Sequence, residues 1–210
     1  MYNCKNQVNL SGEVSSLEYD HTFQSERFYR FILKVRRMSG VYDELPIIIS
    51  ENKIKTLKSG DFAYIKGEIR SRRVIESGQN HLKVYIFTYD MERYSKEDYN
   101  VFYANDVNNV EIEGFAGRPV ISRITPFGRV VADIMLAMNC KKENIWKNYY
   151  IPCIVWGQNA IWTEQQPKGA KFSINGRFQS REYDKVYPDG RVDARITYEV
   201  SIGKISIVTI

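Results

Sequence analysis

An internal repeat constrains this chain more than any other feature. Asn6-Gln-Val-Asn-Leu-Ser-Gly12 and Asn108-Asn-Val-Glu-Ile-Glu-Gly114 share an Asn, two alternating apolar positions and a Gly, at an offset of 102 residues. The order then holds. Glu44-Leu-Pro-Ile-Ile-Ile-Ser50 aligns with Tyr150-Ile-Pro-Cys-Ile-Val-Trp156, and Ser59-Gly60 through Gly67 with Lys168-Gly169 through Gly176. Arg70-Ser-Arg72 aligns with Gln179-Ser-Arg181, and Leu82-Lys-Val-Tyr-Ile86 with Ile196-Thr-Tyr-Glu-Val200. Spacing drifts only between these blocks, as loops do around a fixed scaffold. A chain of 210 residues built this way is expected to fold as two small domains, residues 1–105 and 106–210. The polar stretch Met91 to Val107 between them reads as a linker or strand extension.

Within each copy apolar residues recur with period two, as at Phe31, Leu33, Val35 and Phe62, Tyr64 in the first and Ala132, Ile134, Leu136, Met138 in the second. That is the pattern of half-buried strands. One short helix is predicted per copy, Glu51 to Leu57 and Gln158 to Gln165, each ending near a glycine, Gly60 or Gly169. Five strands with a helix between the third and fourth is the order of an OB-fold, an all-β Greek-key barrel. A five-stranded β-sandwich gives a similar string, so periodicity alone leaves both open.

The same sequence argues against catalysis. Cys4, Cys140 and Cys153 lie far apart with no CxxC pair, so neither a disulfide framework nor a Cys-type zinc site is expected. His21 and His81 are too few for a histidine-rich metal centre, and no cofactor motif is present: no P-loop, no GxGxxG with an acidic partner, no paired carboxylates. Cys140 is placed in a loop beside Lys141 and Lys142, without a histidine to activate it. Nothing assembles an acid, base and nucleophile, so no metal, no cofactor and no enzyme activity are expected. No window approaches a membrane span and Met1 to Leu10 has no signal-peptide core, which predicts a soluble, cytoplasmic protein with no membrane partner.

Charge points the other way, toward a polyanion. Thirty Lys plus Arg against 25 Asp plus Glu give +5, and the chain carries 15 Tyr, 10 Phe and 3 Trp. Cations interleaved with rings suit a single nucleic-acid strand, whose phosphates take the charge and whose bases take the flat faces.

The second copy resembles bacterial single-stranded DNA-binding proteins in sequence order over nearly all of residues 108 to 208. The matching blocks are Gly114 with Arg118-Pro119, Arg123-Ile-Thr-Pro-Phe-Gly128, Val131-Ala132 and Ala137. They continue through Tyr149-Tyr150-Ile-Pro-Cys-Ile-Val-Trp156-Gly157, Ala160, Lys168-Gly169, Gly176-Arg177-Phe-Gln-Ser-Arg181-Glu-Tyr183-Asp184 and Thr197-Tyr198-Glu199-Val200. The first copy resembles the family only through the repeat. The resemblance implies tandem OB-folds that bind single-stranded DNA with little sequence preference, in replication, recombination or repair. It implies base stacking on Tyr150, Trp156 and Tyr183, with Trp146 near a further ring position. Arg177, Arg181 and Lys185 around Tyr183, and Arg123 and Arg129 flanking the Thr125–Gly128 turn, are then candidate phosphate contacts, as are Arg72 and Arg73 in the first copy. Tyr150 and Trp156 are six residues apart on one predicted strand and share a face, leaving Ile151, Cys153 and Val155 for the core. Trp162 and Tyr198 are assigned to packing.

In the first copy Glu44, Ser50 and Val74 replace the three rings, so its stacking platform is expected to be dismantled, leaving arginines to track phosphates. The family commonly assembles four OB-folds, which implies a homodimer here, nucleoid-associated, with replication or recombination proteins as further partners. Two other readings use the same fold: a replication-restart or mobile-element accessory protein acting mainly through protein contacts, and an RNA-binding OB protein.

Overall fold

Alternating apolar positions set which side of each strand turns inward. The computed structural model describes residues 4–54, 57–76, 78–102, 105–142, 145–187 and 189–209. The first copy comprises β1 (Asn6–Phe23), β2 (Glu26–Arg36), β3 (Tyr42–Ser50), α1 (Glu51–Ile54), β4 (Phe62–Glu76), β5 (Gln79–Tyr94) and α2 (Lys96–Phe102). The second comprises β6 (Asn108–Ala116), β7 (Ile121–Ile124), β8 (Val130–Lys142), β9 (Ile145–Trp156), α3 (Gln158–Glu164), β10 (Lys171–Val186) and β11 (Val192–Ile207). Strands pair in the order β2-β3-β5-β4-β1, closed by β1–β2, and β6-β10-β11-β9-β8, closed by β6–β8, with β7 outside β8. Each copy is thus a closed five-stranded barrel with the OB order, and the sandwich alternative falls away.

Phe31, Leu33 and Val35 of β2 and Ala132, Ile134, Leu136 and Met138 of β8 are all buried. On β4 the parity is the reverse of that expected: Ala63 and Ile65 fill the core, while Phe62 and Tyr64 lie on the other face, Phe62 against Tyr99 with centroids 4.6 Å apart.

The repeat glycines mark the tightest strand crossings. A Cβ on Gly114 would stand 2.7 Å from the Ala137 carbonyl oxygen, and one on Gly67 2.6 Å from that of Phe87; Gly12 and Gly176 are equally closed by backbone. Neither neighbour is a side chain that could rotate away. Gly67→Ala is therefore expected to cost about 1–3 kcal/mol by overpacking, read as a lower urea midpoint with unchanged slope.

The two barrels are joined edge to edge by antiparallel pairing of β1 with β6. Val8 faces its own repeat equivalent Val110, while Asn6 faces Ile112 and Leu10 faces Asn108. The chain thereby makes within itself the self-complementary contact of a two-fold dimer. The repeated asparagines obey the same symmetry. Asn6 pairs both ways with the Ile69 backbone, at 2.8 and 2.9 Å, and Asn108 with that of Phe178, at 2.7 and 2.8 Å.

Two expectations need correction. Met91–Val107 begins as the expected strand extension, β5 running to Tyr94, but then forms α2, capped where the Asp98 N–H donates to Ser95 Oγ at 3.1 Å. Its Tyr99 is buried, its hydroxyl donating to Asp106 at 2.6 Å and lying 2.8 Å from the Ser11 hydroxyl. Ser95-x-x-Asp98 is a helix-capping signature in the sequence itself. Cys140 lies in no loop but buried in β8, and it is disulfide-bonded to Cys4 across 136 residues of sequence. Spacing cannot show such a bond, because it follows from β1 pairing with β6. Cys153 is a buried free thiol, its pKa pushed up by burial and by nearby Glu199.

Candidate nucleic-acid interface

β9 alternates as one buried face requires. Tyr149, Ile151, Cys153 and Val155 are buried, while Tyr150 and Trp156 point outward, each 39% exposed. Pro152 lies half-buried between them and Ile154 is buried. Trp156 stands in a row across three strands, opposite Val131, itself opposite Arg123. Arg123 reaches back to Asp133 at 3.1 Å, so its charge is already matched. The adjoining turn carries exposed Arg129 and Phe127, the latter 91% exposed.

Tyr150 is completed from the other copy. Its N–H donates to Ser71 Oγ at 2.9 Å, and the Arg73 guanidinium lies 5.8 Å from its ring centroid. The symmetric contact is kept, the Glu44 N–H donating to Ser180 Oγ at 3.2 Å. The long hairpins therefore each lean on the opposite barrel, and ring and cation meet across the seam.

Tyr183, 40% exposed, projects from the β10–β11 hairpin with Arg181 5.9 Å from its ring. Arg181 differs from a free phosphate cation, since its Nε donates to buried Glu199 at 3.1 Å and its pKa is raised chiefly by that hydrogen bond. Gln179 donates to the same carboxylate at 2.9 Å, and Arg177 donates to Gln179 Oε1 at 3.1 Å. These groups hold the strand under Tyr183. Lys185 bonds Gln79 at 3.4 Å across the seam and lies 4.7 Å from the Tyr187 ring. Arg72 lies 4.0 Å from Asp20. Trp146 is not brought to Trp156. Ten residues along the strand, 56% exposed, it lines a small apolar hollow with Cys4 and Phe115, and Lys141 lies 5.9 Å from its ring.

Trp162 packs edge-on against Phe172, and Tyr198 against Phe178. Among the described residues no group of three or more His, Cys, Asp or Glu is placed to hold a metal ion, and no helix is long and apolar enough to cross a membrane.

Residues 107–207 match the Single-strand binding protein family. That match spans the C-terminal copy, β6 to β11. Two solved structures of the single-stranded DNA binding protein from Thermus aquaticus are similar over both halves. The wild type has 17% identity and a TM-score of 0.75, covering 99% of this chain and 94% of its own. A deletion variant has 18% identity and a TM-score of 0.73, covering 100% and 97%. At these identities the likeness concerns fold, and it places the first copy in the same tandem architecture although the family match stops short of it. No curated protein matches the chain in sequence.

In the first copy aromatic residues stand at other positions of the repeat. Glu44, Ser50 and Val74 stand where the rings would be, but β5 carries Tyr85 and Phe87 at the positions of Glu199 and Ser201. Tyr85 faces Arg70 across the strand pair where Glu199 faces Gln179. The repeat alignment holds that exchange, provided it is read two strands at a time.

Proposed function

We propose that the chain binds single-stranded DNA without strong sequence preference, stacking bases on Trp156, Tyr150 and Tyr183 while Arg73, Arg129 and Lys185 meet phosphates. It has no catalytic part in this role and serves to protect exposed strands in replication, recombination or repair, at the nucleoid. Two chains would present four barrels as a homodimer. The observation carrying the reading is the outward face of β9, where two large rings stay open to solvent beside a cation contributed by the other copy. A ring platform accepts any base, which accounts for low sequence preference.

Titration of tryptophan fluorescence with oligo-dT at several salt concentrations tests it. All three tryptophans, Trp146, Trp156 and Trp162, lie in the second copy, so quenching reports that copy. With about three phosphates neutralised, log K should fall with log salt at a slope near −2, a loss of roughly tenfold or more for a fourfold rise in salt. Absence of quenching, or equal affinity for duplex DNA, would overturn the reading.

A further inference from the structure

The two-fold relation of the copies extends past the paired strands, and it ends differently on its two sides. The Val107 carbonyl accepts from the Ser11 N–H at 2.9 Å, and in the same way the Lys5 carbonyl accepts from the Glu113 N–H at 2.9 Å. One residue earlier stand Asp106 and Cys4, again 102 positions apart. Each reaches across the seam to the end of a strand of the opposite barrel. Asp106 accepts from the Arg36 N–H of β2 at 2.6 Å, and α2 closes over it, the Tyr99 hydroxyl donating to it at 2.6 Å. Cys4 is bonded instead to Cys140 of β8, and no helix residue lies before it among the described residues. It is half-buried and lines an open hollow of about 200 Å³ with Phe115 and Trp146. Cys140 faces Lys147 across β8 and β9, and the next rung outward is Lys141 with Trp146, so the bond grips the root of the strand ends that carry this ring.

We propose that Cys4–Cys140 is a thiol–disulfide latch, which when closed holds the Trp146 end of β8 and β9 against the start of β1 and when opened by a dithiol lets that end go. A bond that solvent reaches is the kind that exchanges, and here the reachable sulfur is that of Cys4, since Cys140 is buried. One thiolate of the dithiol attacks the Cys4 sulfur, forming a mixed disulfide and expelling Cys140 as a thiolate that takes up a proton. The second thiolate of the same molecule then displaces Cys4, which also takes up a proton, and the dithiol leaves as a cyclic disulfide. Two electrons pass to the protein, and a small disulfide returns the latch to its closed form by the reverse exchange. Opening stays local, because β1–β6 pairing and the Asp106 contact still join the barrels. Cys153 takes no part, being a thiol buried in the core whose pKa is pushed up by that burial. A consequence for DNA rests on the single-strand reading above: with the latch closed Trp146 is held ready for a base, and with it open the ring must first be ordered.

The test compares the full chain after oxidation with glutathione disulfide and after reduction with dithiothreitol. Beside it stands Cys4→Ser, which removes the bond at a half-buried position and leaves buried Cys140 in place. Thiol titration in urea should find one thiol in the oxidised chain, Cys153, and three in the reduced chain. Reduction should lower the urea midpoint of the wild type by about 1 M or more, as expected for a link that closes 136 residues, and should leave that of Cys4→Ser unmoved. It should also weaken binding of a labelled oligo-dT, read by anisotropy, by about fivefold or more, the least that one stacked base is worth, in the wild type but not in Trp146→Ala. Three thiols after oxidation, or a midpoint that reduction does not move, would overturn the latch. Equal oligo-dT affinity in the two states, with the midpoint shifted, would overturn its hold on Trp146. Failure of both states to bind oligo-dT is a different result, which removes the single-strand reading and leaves the latch to be judged by thiol count and midpoint.

Discussion

The double variant Trp156→Ala, Tyr183→Ala is expected to lose about 2 to 6 kcal/mol of oligo-dT affinity, the worth of two stacked bases. Both rings stand more than a third exposed on the outer face, away from the core that Ile151, Cys153, Val155, Phe178 and Val200 fill. Their removal should therefore leave the denaturation midpoint nearly unchanged, separating a binding loss from a folding loss. Because Trp156 is itself a reporter, anisotropy of a labelled oligomer is the appropriate readout. The single variants divide the effect. Tyr183 depends on Arg181, which Glu199 holds, so Arg181→Ala should produce part of the Tyr183→Ala loss although Arg181 has its own charge matched. A double variant that binds within about 1 kcal/mol of wild type, below the worth of a single stacked base, would remove base stacking on these rings as the mode of action.

Much of this site was legible in the sequence because one buried face fixes strand parity. Once Ile151, Cys153 and Val155 turn inward, Tyr150 and Trp156 must turn out. The repeat likewise disclosed two barrels, since its glycines sit where backbone crosses backbone. Parity gives less help where a strand offers apolar residues to both faces, as Phe62-Ala-Tyr-Ile65 does: Ala63 and Ile65 fill the core although Phe62 and Tyr64 are the larger apolar pair. Contacts between distant segments were not legible at all. The Cys4–Cys140 bond and the Arg73–Tyr150 pair exist because β1 pairs with β6 and each hairpin crosses to the other barrel. The matching of Arg181 to Glu199 depends on a register set by the bulge between Asn175 and Gly176, which moves each later residue of β10 by one place against β11.

The seam between the copies is also where a single polar residue should matter most. Asp43→Ala is expected to destabilise the chain by about 3–5 kcal/mol, the cost of leaving a buried ion pair half broken. Asp43 is fully buried, and it accepts from Arg37 Nε at 2.8 Å, from Arg37 Nη2, and from the Ser180 N–H at 2.8 Å. Arg37 donates as well to the Ser180 carbonyl at 2.9 Å, and its pKa is raised chiefly by its hydrogen bond to Asp43. Without the carboxylate the guanidinium and the Ser180 N–H both lose their partner at once. On the symmetric side Tyr149 occupies the equivalent position, buried and without a carboxylate. Asp43→Asn keeps an acceptor for Ser180 and should fall between the two, while Asp43→Leu combined with Arg37→Met should recover most of the stability by removing both charges together. Ser180 lies one residue before Arg181 and three before Tyr183, so Asp43→Ala should also weaken oligo-dT binding from a site in the other copy. A variant that unfolds at the wild-type urea midpoint would mean that the seam is held by its other contacts, β1–β6 pairing among them, and that Asp43 neither stabilises the hairpin nor sets the position of Tyr183.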